Sequence, residues 1–469
     1  MKNLNNLLFF VLLAVFAVSC GESFLDLSPQ QAVSDQEALT NINDYESSVT
    51  GIYNDFQSPD YYGRYFFVIP DVMADDVKQN SQANRAKDYA EHEANVADRD
   101  ARAMWTLMYR AINAANAIIN ADITVPASVK SKQDHIIGEA KVLRGLIYFD
   151  LVRLFAQHYT FTADAGHPGV PLVLSFDPEN KPSRNTVKQV YDQIISDMTE
   201  GVAMMSDVSR TGNSNTLSAP SGKALLARVY LYKEDWNNAE KWATEVINSG
   251  KYSLESNASY ANLWLTDNRP EHIFSVSMTE ADNAGTNALG NMYLARGFGD
   301  YLPSNDVVAL FPAGDARLQV FKTDPLLSGT YAPYRMEKYA DTRGWDDIKV
   351  MRLAEVFLIR AEARAAIGTN IQGAQADLDL IKQRGLPGIA ATLATGEALK
   401  TAIRTERRLE LCFEGQRLWD LMRYKQDIVR QQCTANICTI KYGSDTVVLP
   451  IPQYELDANP NMEPNPGYN

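Results

Sequence analysis

Apolar residues recur along this chain at the spacing of one helix face, and they recur in pairs of segments. The clearest pair is residues 218–250, SAPSGKALLARVYLYKEDWNNAEKWATEVINSG. Ala224, Ala227, Arg228, Leu231 and Tyr232 follow the helical period, and the small alanines let a second helix approach closely. Ser218 is placed to cap the first helix, and Pro220 falls in its first turn, where a missing N–H costs little. Asp235 interrupts and restarts the pattern. Trp236, Ala239, Trp242, Ala243, Val246 and Ile247 then form a second stripe that stops near Gly250, a typical helix-ending residue. Such a hairpin cannot bury its own apolar faces, so the pattern predicts neighbours of the same kind.

Those neighbours are predicted near 39–120, 135–205 and 350–385. In the first, helices over 39–56 and 103–120 are expected, the latter with Trp105, Ile112, Ala115 and Ile119 on one stripe. In the second, Ile136, Ala140, Leu143, Ile147, Leu151 and Leu154 keep the rhythm of one buried face, with 186–205 as partner. A Pro- and Gly-rich loop over 166–182 crosses between them. In the last, helices over 350–367 and 370–384 are each followed by a glycine, Gly368 and Gly385. The expected fold class is mainly α: four tetratricopeptide-like helix pairs form a scaffold, with a loop-rich, irregular face. Long insertions make the period uneven.

Loops carried on rigid scaffolds are the usual place for binding groups, which directs attention to the insertions at 61–84 and about 260–345. The first supplies Asp75, Asp76, Asn80, Asn84 and Arg85; the second supplies Trp264, Tyr293, Arg296, Phe298 and Tyr301, with Trp345 at its end. Aromatic platforms beside carboxylates, amides and arginines suit a carbohydrate, stacking on its C–H face and bonding its hydroxyls. The competing reading of each residue is a second, loop-rich core. Calcium at Asp75 and Asp76 is a weaker alternative, because two adjacent carboxylates are not the spaced ligands of an EF-hand. No metal site or cofactor is expected.

Composition narrows the classes. The chain has 469 residues and a net charge of −14, which repels nucleic acid, and no Lys/Arg cluster offers to release phosphate counterions. Lys2 precedes an apolar run over 7–18 that is too short to span a bilayer and ends in Ser19-Cys20. Residues 1–19 read as an export leader. Cys20 is the expected lipidation site, as in a bacterial lipobox, with plain secretion as the alternative; several acyl chains would anchor the mature chain stably. A polar tether follows. In an oxidising exported setting Cys433 and Cys438 are candidates for a small disulfide loop, while Cys412 reads as a buried thiol.

Catalysis is disfavoured by the residues that resemble it most. Over 397–423, read as one helix, Glu406, Glu410, Glu414 and Arg417 fall on one face. Yet Arg404, Arg407, Arg408, Arg417 and Arg423 crowd the same stretch, and guanidinium groups hold carboxylates ionised when a general acid must carry a proton. An ion-pair network is the better expectation. The histidines, His92, His135, His158, His167 and His272, show no HExxH spacing. The chain is expected not to be an enzyme.

Several stretches, in order, resemble the SusD/RagB-type nutrient-binding outer-membrane lipoproteins of Bacteroidetes. They are Cys20 followed by Phe24-Leu25-Asp26 and Pro29, YRAINAANAII at 109–119, GEAKVLRGLIYFDLVRLFA at 138–156, GVPLVL at 169–174, and the 218–250 hairpin. MRLAEVFLIRAEARA at 351–365, ERRLELCFEGQRLWDLMR at 406–423 and the closing LPIPQYELDANPNMEPNPGY complete the set. The resemblance spans nearly the whole chain; the insertion at about 260–345 departs from it. It implies one SusD-like domain over 20–469, lipid-anchored at the outer membrane and facing the cell exterior. It implies capture of an oligosaccharide, or of a peptide in some members, and delivery to a SusC-like TonB-dependent transporter that the helical side faces. A tethered helical-repeat scaffold that binds only protein is the alternative.

Overall fold

The computed structural model describes residues 39–327, 332–431, 433 and 435–468. The expected leader, Cys20 and most of the tether lie outside the described residues. Helices dominate, and no strand among the described residues exceeds five residues.

The chain enters through α1 (Ile42–Gln57), capped by Asn41, whose side chain accepts from the N–H groups of Asn43 and Asp44. α2 (Tyr65–Met73) follows and is buried along its whole length. This is the first departure from expectation: the 61–84 insertion holds a core helix, built on the run YFFVIPDVM, before its loop begins. α3 (Arg99–Asn120) packs on α1, α4 (Lys130–Phe155) on α3, and α5 (Val187–Met204) on α4. α6 (Ala219–Lys233) packs on α5, α7 (Trp236–Asn248) on α6, α8 (Leu353–Ile367) on α7, and α9 (Ile371–Gly385) on α8. Helices thus stack in chain order, and each apolar stripe is covered by the next.

Local chemistry sets the joints. Glu234 ends α6 in the left-handed conformation, and Asp235 caps α7 by accepting from the N–H of Asn238 at 3.2 Å. Thr186 and Gln189 cap α5 reciprocally. α4 and α5 approach most closely where Gly138 faces Gly201: a Cβ on Gly138 would lie 2.7 Å from the Gly201 carbonyl oxygen. Side chains there would force the pair apart.

Among the described residues, four two-stranded antiparallel ladders pin the irregular half. β1 (Val77–Gln79) pairs with β3 (Tyr301–Pro303), and β2 (His272–Val276) with β6 (Ile348–Arg352), so the helix expected from residue 350 starts at Leu353. β4 (Phe321–Thr323) pairs with β5 (Tyr334–Met336), and β7 (Ile428–Val429) with β8 (Thr439–Ile440).

The helix expected over 397–423 is two helices, α10 (Gly396–Leu411) and α11 (Arg417–Arg423). Phe413 and Gly415 take positive φ between them, at 64° and 66°, and a Cβ on Gly415 would meet the Phe67 Cα at 2.9 Å. On both sides of the break the carboxylates share buried cations. Glu406 pairs with Arg317 at 2.6 Å; Glu410 with Arg384 at 2.6 Å and Arg352 at 2.9 Å; Glu414 with Arg352 at 2.6 Å and Lys338 at 2.8 Å. Arg407 bridges Asp420 at 2.8 Å and Glu355 at 3.1 Å. All these groups are buried, where an unpaired charge is costly, so the network fixes the α10–α11 corner against β6 and α8.

Candidate ligand-binding site

The β1–β3 ladder brings the two insertions together. Asn80 donates its N–H to the Asp300 carbonyl at 2.7 Å, and Ser304 donates to that of Asp76 at 2.8 Å, extending the register beyond the strands. The loop after β1 folds back so that the Arg85 carbonyl accepts from Gln79 Nε2 at 2.7 Å and from the Tyr301 hydroxyl at 3.1 Å. The Arg85 guanidinium meets Asp300 Oδ2 at 2.8 Å and lies 3.7 Å over the Phe298 ring. Four expected site residues thus meet here: Asn80 and Arg85 on Asp300, and Phe298 and Tyr301 on Arg85.

Two clefts open beside this loop. The first, of about 210 Å³, is lined by Lys78, Gln79, Asn80, Glu91 and Asn436 among others; the second, of about 490 Å³, by Gln82, Asn84, Arg85, Asp88 and Asp300 among others. They share Ala83 and Lys87, so they adjoin along the 80–87 loop.

One wall of the first cleft is the β7–β8 hairpin. Arg430 ties it down, donating to the carbonyls of Val72, Met73 and Ala74 at 2.8–2.9 Å and to that of Ala90 at 2.5 Å. Burial pulls its pKa down to about 10, and nearby Glu91 opposes the shift. Cys433 and Cys438 are bonded across the hairpin's end, with Cα atoms 5.6 Å apart, and Cys433 itself lines the cleft. Cys412, just past the end of α10, is a buried free thiol that burial pushes up to about 12.

Other expected site residues lie elsewhere. Trp264 has 0% exposure, with Lys338 Nζ 4.6 Å over its ring, and Tyr293 is equally buried between Tyr339, Tyr301 and Phe413. These two rings belong to the core, the outcome the composition of the insertion left open. Tyr301 is also buried and reaches the site only through its hydroxyl. Arg296 is exposed but turns to the Ala340 carbonyl and to Glu337 at 3.5 Å; Trp345 is half-buried beneath Arg343, 3.8 Å away. Asn291 links that corner to the site, its carbonyl accepting from Phe298 N–H at 2.7 Å and its amide donating to the Thr342 carbonyl at 2.7 Å.

Asp75 lines the first cleft, but both its oxygens are held by Arg417, at 2.7 and 2.9 Å, and Asp76 is buried against Arg408 at 2.7 Å. Burial alone would raise Asp75; Arg417 and Arg408 outweigh it and lower its pKa, whereas burial prevails at Asp76 and raises it. With arginines in that position, the pair is a wall brace rather than a set of calcium ligands. Lys78, Gln79, Gln82, Lys87, Asp300 and Asn436 were not anticipated. The amide-rich run QNSQAN at 79–84 was the available signal; nothing local marked Asp300 or the distant hairpin.

Residues 23–231 match the family profile described as "Starch-binding associating with outer membrane", and residues 328–468 match that of the SusD family. The chain belongs to the SusD family. A SusD-like protein of Formosa agariphila is 25% identical over 98% of this chain and 99% of its own length. A SusD superfamily structure from Bacteroides thetaiotaomicron has a TM-score of 0.83 at 29% identity, covering 91% of this chain and 100% of that one. Another, from Bacteroides vulgatus, has a TM-score of 0.83 at 26% identity, covering 92% and 100%. The mainly α architecture of this SusD-family chain is thus shared over nearly its whole length.

Proposed function

We propose that this chain captures an oligosaccharide at the outer membrane and passes it, unmodified, to a SusC-like TonB-dependent transporter. The observation that carries the reading is the pair of adjoining clefts at the loop where both insertions meet, bordered by the amides of Gln79, Asn80, Gln82, Asn84 and Asn436, with the exposed Phe298 ring stacked on the cleft-lining Arg85. Amides and charged groups offer paired donors and acceptors to sugar hydroxyls, and a ring edge offers a platform for a C–H face. The starch-binding description of the matching profile supports a sugar over a peptide. The stacked helices offer a large rigid surface for a transporter, and acylation at Cys20 would keep the protein at high local concentration beside it. Binding without turnover is supported by the glutamates of the α10–α11 corner, each locked in buried ion pairs.

Isothermal titration of the soluble chain against neutral and acidic oligosaccharides and mixed peptides tests capture. Saturable binding of one sugar class, weakened by Phe298→Ala, is the expected result. Binding of peptides alone would transfer the site to peptide cargo. Pull-down from membranes tests delivery: a co-purifying large β-barrel transporter is expected, and recovery of other envelope proteins without one would favour a protein-binding scaffold.

A further inference from the structure

The glycan-capture reading leaves the kind of sugar open, and the charges around the clefts bear on it. The segment 77–87, VKQNSQANRAK, supplies residues to both clefts and contains Lys78, Arg85 and Lys87 without a single carboxylate, in a chain of net charge −14. Arg85 and Lys87 line the second cleft, and Lys78 and Lys87 the first.

The carboxylates that share these clefts are largely occupied. Asp75 is held by Arg417 and lies 3.3 Å from Arg408. Glu91 accepts the N–H of Asn436 at 2.6 Å. In the second cleft Asp300 is paired with Arg85, Asp100 with Arg99 at 3.3 Å, and Asp98 accepts from the Tyr89 hydroxyl and from Ala101 N–H at 2.7 Å. Asp88, exposed beside Lys87, is the exception.

The cations have capacity to spare. Lys87 is exposed and forms no ion pair among the described residues. Arg85 gives Nη1 to Asp300, which leaves the rest of its donor fork available at the rim.

We propose that the cargo is an acidic saccharide whose carboxylate or sulfate group is bound between Lys87 and the open edge of Arg85. The neighbouring amides of Gln82 and Asn84 take hydroxyls of the same chain, and Phe298 stacks on Arg85 behind them. This deepens the glycan-capture reading and rests on it. A uronate and a sulfate ester present the same chemistry here, an anion with two or more acceptor oxygens, and a guanidinium edge suits both.

The test is calorimetric titration of the soluble chain with trigalacturonate, with a sulfated galactan tetrasaccharide and with uncharged maltotriose and xylotriose, at low salt and at roughly 0.3 M salt. At least one acidic probe should bind, with an affinity that falls as salt rises. Lys87→Gln should weaken that probe about tenfold, the loss of one charge-assisted contact, and Lys87→Glu further. Both variants should melt at the wild-type temperature, since Lys87 is exposed. Preference for an uncharged trisaccharide, or acidic binding indifferent to Lys87→Glu, overturns the acidic assignment and leaves glycan capture standing. No binding of any sugar overturns both. The carboxylated and sulfated arms separate the two anions.

Discussion

Arg228 in α6 and Glu355 in α8 meet in the core although 127 residues separate them, Nε donating to Oε1 at 2.9 Å and Nη2 to Oε2. Arg407 of α10 donates to the same carboxylate at 3.1 Å, so one glutamate joins three helices. Burial alone would raise Glu355; the two guanidinium groups outweigh it and hold its pKa at about 2. Glu355→Leu strands Arg228, leaves Arg407 to Asp420 alone, and is expected to cost about 3–5 kcal/mol. Arg228→Met should cost less, because Arg407 still compensates the carboxylate, and the double variant should be milder than Glu355→Leu alone. Urea unfolding of the three variants measures this; equal losses in both single variants would show that Arg407 contributes nothing to the pair.

Trp264 and Phe298 were both candidate platforms, and the structure predicts opposite phenotypes for them. Trp264 is fully enclosed, so Trp264→Ala leaves a cavity and should cost about 3–5 kcal/mol while the folded fraction still binds sugar. Phe298 is 44% exposed, and Phe298→Ala loses chiefly its contact with Arg85, about 0.5–1 kcal/mol, with a larger fall in sugar affinity. Thermal unfolding and titration on the same samples separate the two effects. A stable Trp264→Ala variant that no longer binds would return that ring to the site.

The Cys433–Cys438 bond closes a loop of few residues, so reducing it should lower stability by only about 2 kcal/mol. Its larger effect is expected at the first cleft, whose wall includes Cys433, Ala435 and Asn436. Arg430 would still hold the base of the hairpin on the carbonyls of 72–74. Hydrogen exchange with and without reductant should therefore show faster exchange around 433–438 and at Glu91's partner Asn436, with α2 unchanged. Loss of protection across α2 would mean that the bond supports the core and not only the wall.

The helix pairs were legible because their signals are local. Ser218, Asp235 and Gly250 mark the ends of one hairpin, and apolar spacing marks its faces. α2 was not legible: its nine residues are apolar but for Asp71 and buried on every side, which leaves little periodicity, and Pro70 lies inside it. The α10–α11 break was hidden because Phe413 adopts positive φ without a cue of its own, and the need for Gly415 beside Phe67 is a contact more than 300 residues away in the chain. The site was half legible. Asn80 and Arg85 lie in a polar run, but whether Tyr293 or Phe298 faces solvent depends on partners such as Asp71 and Arg85, more than 200 residues away. Composition marked the right insertions and could not rank the rings within them.

Acid should unfold this protein in a defined window. His92 is buried with its pKa lowered to about 4, and His158 and His272 are lowered to about 3, burial being the main cause in each. A base depressed by folding stabilises the native state above its unfolded pKa, near 6.5, and that stability is lost as pH falls toward the folded value. Asp347 acts in the opposite sense. Burial, with Asp267 beside it, raises it to about 6, so the native state holds its proton down from there while the unfolded chain releases it until near 3.8. Near pH 5 the unfolded chain thus binds roughly three more protons on the histidines and the native chain one more on Asp347. From these four groups alone the difference, about two protons, contributes a loss of about 3 kcal/mol per pH unit, against which the other carboxyls that burial raises, Asp71 foremost, work in the same sense as Asp347. Urea unfolding between pH 7 and 4.5 measures the slope. His272→Gln should reduce it by about one proton. Asp347→Asn should steepen it by about one proton and raise stability at pH 7 by about 1–3 kcal/mol, because the amide keeps the acceptor for Met278 N–H and removes a buried charge with an unpartnered oxygen. A slope unchanged by either substitution would place the titrating groups elsewhere.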